Sequence, residues 1–180
     1  MLTETYSLVA ISSEQQKARR VLARLQQSIA HVWKNLQEVD LAGVEAAIRR
    51  LMHFDRAVKE RKMARYVIPA LKSASRETDR LLDELDALSG FCGQLLQSLQ
   101  QQARLVLQQG RAKLKDLRRA MELYCSNLHL RLAREEEELL PLVPRILTGE
   151  EIFELGVQFL SDDGKKLERR SFSHETEDLH

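Results

Sequence analysis

Apolar residues recur at three- and four-residue spacing through almost the whole chain, the pattern of amphipathic helices rather than strands. The first stripe is Val21, Leu22, Leu25, Ile29, Val32, Trp33 and Leu36, with Ser12 or Ser13 placed to cap its helix. Asp40 and Gly43 mark a short turn. A second stripe, Val44, Ala47, Ile48, Leu51, Phe54 and Val58, opens a helix that continues to about Leu71. Its apolar face then shifts to Ala57, Ala64, Val67 and Ile68, so the pattern predicts a bend or a change of neighbours near residue 57. Ser73 to Ser75 open a third helix carrying Leu81, Leu82, Leu85, Leu88, Leu95, Leu96 and Leu99. Gly90 and Gly93 lie inside it, where each weakens a helix by about 1 kcal/mol against Ala. Close packing or a local bend is their expected use. Gly110 is the expected turn into a fourth helix, which runs to about Pro141. Thr148 is placed to cap a short fifth helix over residues 149–160, with Ile152, Phe153, Val157 and Phe159 expected to cover one end.

Short connections favour antiparallel neighbours. The expected fold is therefore all-α, an antiparallel up-down-up-down four-helix bundle with a short C-terminal fifth helix. Residues 1–160 would form this single domain, and residues 161–180, polar and poor in apolar periodicity, a disordered tail.

Composition narrows the function classes. The chain has 180 residues, few Gly and Pro, and a net charge of +1, so nothing in its balance calls for nucleic acid or an anionic membrane. Basic residues are scattered and balanced by acids. No apolar stretch approaches the roughly 20 residues of a membrane span. Residues 1–10 carry Glu4 and lack a basic start and an apolar run, so no signal peptide is expected and the location is expected to be cytoplasmic. Cys92 and Cys125 do not make a disulfide framework; they can approach each other across the third and fourth helices, as buried thiols or as a redox pair. The sequence has no P-loop, dinucleotide fingerprint or CxxC, and no catalytic role is expected.

Two segments share a design. HLRLAREEEELLPLVP is a helix with a carboxylate cluster stopped by Pro141, and KERKMARYVIPAL is a similar helix stopped by Pro69. Together with EQQKARRVLARL, IRRLMHFDRAVKERKMARYVIPAL, LLDELDALSGFCGQLL and the extension of the first segment to PRIL, they give residues 12–147 an order of elements that resembles the hemerythrin-like (HHE cation-binding) family. The resemblance implies a bundle with iron held between facing helices by His and Glu. Its ligand positions fall here on Gln15, on Glu60 and Ala64, near Leu88 or Ser89, and on Leu132 and Glu136. With a rise near 1.5 Å per residue, these positions match axially across each antiparallel pair.

Most of those positions have lost the imidazoles that iron requires. Gln15, Glu60 and Glu136 would form an oxygen-only set, suited to a divalent cation such as Mg²⁺, Ca²⁺ or Mn²⁺. His53 and His129 lie on the same helical stripes one or two turns away and are candidates for a rearranged site, or for histidines packed at a bundle end. Glu136 falls on the inward stripe, so it should have an inward partner, with Gln15 or a residue near Ser89 the nearest candidates. The other carboxylates of Glu135 to Glu138 would line a solvated face, answered by Arg131 and Arg134. The expected function is a bundle with a degenerate metal site and no cofactor, acting as an interaction or regulatory module for an unidentified protein partner, with a homodimer as a further expectation. The alternative is a protein that binds iron or another divalent cation through a rearranged His/Glu site.

Overall fold

The computed structural model of the chain describes residues 2–34, 40–109 and 113–177. The expected stripe position Leu36 and the expected turn at Gly110 lie outside these residues. Every regular element among them is helical: α1 (Leu2–Val32), α2 (Leu41–Lys59), α3 (Ile68–Ala74), α4 (Asp79–Gln109), α5 (Leu114–Arg134), α6 (Val143–Ile146) and α7 (Gly149–Glu177). Asp40 caps α2, accepting from the N–H groups of Ala42 and Gly43 at 3.0 and 3.2 Å. Thr148 and Glu151 form a capping box at α7: Thr148 Oγ1 accepts from Glu151 N at 3.2 Å, and the Glu151 carboxylate accepts from Thr148 N at 2.7 Å.

α1 packs against α2 and α5, α2 against α4, and α4 against α5, so each of these four helices has two of the others as neighbours. α7 lies against α1. Two expectations change here. α1 begins at Leu2, well before Ser12, because Ile11 is buried among Ile152, Leu155 and Phe159 of α7. α7 in turn continues through Glu177, so the segment from Ser161 that was expected to be a disordered tail is helical as far as that residue. Lys62 reaches Asp163 at 3.0 Å, and Asp162 accepts from Tyr66 and Arg65. Tyr66 donating its hydroxyl holds the Asp162 carboxyl below its ordinary range. Only one face of α7 covers the body: Ile152 and Phe159 are buried, whereas Phe153 and Val157, expected to join them, are exposed.

Both proline-stopped segments contain the same irregularity. A π turn spans Met63–Val67 just before Pro69, and another spans Glu135–Leu139 just before Pro141. A proline ring collides with the carbonyl four residues earlier in an α-helix, and a widened turn makes room for it. The wide turn also holds a face. Eight residues of α-helix drift by about 80°, yet Met63, Val67 and Leu71 are all buried, as are Glu135, Leu139 and Val143. The two segments thus use one device at matching places, and α3 packs on α6 beyond them.

The core has two apolar clusters. One holds Leu22, Leu51, Val58, Leu99, Met121, Leu128 and Leu132; the other holds Ile11, Met63, Leu85, Leu139, Val143 and Phe159. On four helical segments the change from one cluster to the other falls near the same level, between Ile11 and Ala18, Val58 and Met63, Leu85 and Cys92, and Leu132 and Leu139.

Candidate functional site

That level is polar. Gln15, Arg61, Arg131 and Glu135 are all buried there, and the Glu135 side chain is 0% exposed. Arg61 is positioned by the interruption between α2 and the first π turn, where its Nε–H donates back to the Val58 carbonyl at 3.1 Å. Its Nη1–H donates to Gln15 Oε1 and its Nη2–H to Glu135 Oε2, the latter at 2.8 Å. Gln15 Nε2–H donates to the Leu132 carbonyl at 2.9 Å and to Glu135 Oε2 at 3.0 Å. Arg131, one turn before Glu135, donates to its other oxygen at 3.0 Å. A guanidinium therefore sits among three oxygens drawn from α1, α2 and the second π turn. Two buried guanidinium groups share one carboxylate, so the centre holds one positive charge in excess.

The sequence expectation for this level is partly met and partly corrected. Gln15 does face an inward carboxylate, but that carboxylate is Glu135. Glu136 is 31% exposed and pairs with Arg19. The correction follows from packing: Leu128, Leu132, Glu135, Leu139 and Val143 share the buried face, and the π turn keeps it aligned beyond Glu135. Arg131 moves with it, from the solvated face expected of it to the interior. Glu60 is 62% exposed and pairs with Arg65 at 3.5 Å. His53 and His129 are exposed on α2 and α5, neither packed inside a bundle end. Leu132 is fully buried and contributes its carbonyl, and Ser89 is half-buried with its hydroxyl donating to the Leu85 carbonyl at 3.1 Å.

The donor set does not fit a metal ion. Three oxygens converge, but Arg61 already supplies a cation to them, and a metal placed there would meet its charge at hydrogen-bond range. Among the described residues no three His, Cys, Asp or Glu side chains are grouped to hold a metal. Next to this centre, Tyr124 Oη donates to Asp55 Oδ1 at 3.1 Å, and Lys59 pairs with Asp55 at 2.7 Å. Cys92 and Cys125 are both buried in the first cluster. Burial, with Asp55 nearby, pushes the Cys92 thiol up to about 11; burial, with Cys92 nearby, pushes Cys125 up to about 12. Both are protonated at neutral pH and poor nucleophiles.

Sequence reasoning missed Arg61 and Arg131. A signal for Arg131 was present, since it lies on the apolar stripe of α5 four residues before a Glu on the same stripe. No protein-family model, curated protein or solved structure matches the chain. No helix among the described residues is long and apolar enough to cross a membrane.

Proposed function

We propose that the chain is a non-catalytic binding or regulatory module, an antiparallel up-down-up-down four-helix bundle of hemerythrin-like type whose ligand level is filled by a side-chain cation in place of a metal. The observation that carries this reading is the Arg61 guanidinium held by Gln15, Glu135 and the Val58 carbonyl. The two acceptor side chains come from α1 and the second π turn, the places where the resemblance sets metal ligands. With an arginine tethered between them, their charge and hydrogen bonding are met without an ion.

Metal analysis of protein produced in iron-supplemented medium tests the reading. Sub-stoichiometric iron and no charge-transfer absorption are expected. Added Fe²⁺, Mn²⁺ or Zn²⁺ should leave the melting temperature in place, whereas an ion bound to the native state at 100 times its Kd would add about 2.7 kcal/mol. Stoichiometric iron, or a saturable rise in melting temperature with any one ion, overturns the proposal.

A further inference from the structure

Between α1 and α2 the surface opens into a groove of about 630 Å³, within the size range of small-molecule sites. Its floor is apolar, built by Ala18, Val21, Leu25, Phe54, Ala57 and Val58. The depth has a sequence cause: Ala18, Ala46 and Ala57 carry only a methyl group where the two helices face each other. The groove follows α1 from Glu14 to Leu25, roughly 17 Å of helix.

Its rim is cationic. Lys17, Arg49, Arg50 and His53 are exposed along it, and Arg61 closes one end. The only lining carboxylate, Glu14, is engaged by the Lys62 backbone N–H at 2.5 Å. The rim arginines are lightly held: Arg49 stands 3.6 Å from Glu45, and Arg50 donates to Ser28 Oγ at 3.0 Å. Behind the closed end lies the buried centre with its excess positive charge, and Arg61 belongs to both. Lys17, Arg49, Arg50 and Arg61 thus face one engaged carboxylate, Glu14, over an apolar floor. A fully polar anion would leave that floor in water, and a neutral hydrocarbon would leave the rim charges without a partner.

We propose that this groove binds a single-chain amphipathic anion, a free fatty carboxylate, with its alkyl chain along Val21, Leu25 and Phe54 and its head among Lys17, Arg49, Arg50 and His53. Arg61 alone of the groove's cations takes part in the buried centre; Lys17, Arg49 and Arg50, which receive the head, do not, so the inference stands apart from the metal-free reading.

Titration calorimetry with monomeric dodecanoate, below its micelle concentration, tests it. One molecule is expected to bind per chain, with dodecan-1-ol at least 10-fold weaker. Ala57→Leu places a larger side chain on an exposed helical position over the floor and should weaken dodecanoate at least 10-fold, with the helical circular dichroism unchanged. The double variant Arg49→Glu/Arg50→Glu should weaken dodecanoate by a similar factor and leave dodecan-1-ol where it was. The proposal is overturned by absence of saturable binding, by equal affinity for acid and alcohol, or by a folded Ala57→Leu protein that binds like wild type. Association with phosphatidylglycerol vesicles without binding of monomeric dodecanoate overturns it too, and assigns the rim to a lipid surface.

Discussion

Glu135 and Glu136 are adjacent and chemically identical, and their surroundings set them apart. Glu135 is fully buried and answers two guanidinium groups, while Glu136 meets Arg19 at the surface. Removing one charge of a buried pair leaves its partner desolvated and unpaired, at a cost of about 3–5 kcal/mol. Exposed pairs contribute about 0–1 kcal/mol. Glu135→Gln should therefore destabilise the protein by about 3 kcal/mol or more, and Glu136→Gln by less than about 1 kcal/mol, read from urea denaturation at constant slope. A reversed order would return the inward position to Glu136. Residue-level legibility has the same boundary. Gln15 was readable as the inward partner because its distance from the turn sets its height on α1. Which of two neighbouring glutamates turned inward depended on the alignment held by a π turn, which a 3.6-residue periodicity does not contain. Arg61 and Arg131 were hidden for a different reason, since long cationic side chains ordinarily carry their charge to solvent.

At the scale of elements, the interior of α4 departs most clearly from what its composition suggests. Gly90 and Gly93 were expected to permit close packing or a bend, yet a Cβ built on either meets nothing within 4 Å. Packing therefore gives neither glycine a reason to be there, and the helix runs through both from Asp79 to Gln109. An alanine at each position keeps the backbone conformation and removes chain entropy only from the unfolded state. Gly90→Ala and Gly93→Ala should each stabilise the protein by about 0.5–1 kcal/mol, additively, in thermal or urea denaturation. A loss at either site would reveal a requirement that an added methyl group violates. The capped start of α7 was legible because Thr148 acts within one turn of the chain, whereas Asp40 and Gly43 read as a turn and the structure makes Asp40 the cap and places Gly43 inside α2. The true reach of α1 and α7 was not legible, because it depends on contacts with segments distant in sequence. Ile11 shares a buried cluster with Phe159, and Asp162 and Asp163, at the start of the polar run, are held by Lys62, Arg65 and Tyr66 from a distant segment.

Over the whole molecule, periodicity alone identified an all-helical chain and buried leucines of its first three stripes, such as Leu22, Leu51, Leu85 and Leu99, but it did not reveal that the core is divided. The two apolar clusters meet at the level of Gln15, Arg61 and Glu135, and four helical segments pass through that level. Hydrogen bonds cross it from α1 to the second π turn and from the end of α2 to both. A polar layer spanned by continuous helices should transmit unfolding rather than interrupt it, since α1 and α4 each carry residues of both clusters. Trp33, the single tryptophan, lies in the first cluster and reports on it. Leu85 lies in the second and is 1% exposed. Leu85→Ala, a buried truncation costing about 2–5 kcal/mol, should shift the Trp33 fluorescence transition and the far-ultraviolet ellipticity transition by the same amount. Leu128→Ala, made in the first cluster, should do likewise. If Leu85→Ala instead lowers the ellipticity midpoint while the Trp33 transition stays at its wild-type position, the buried charges form a boundary between two folding units, and the cross-layer bonds do not couple them.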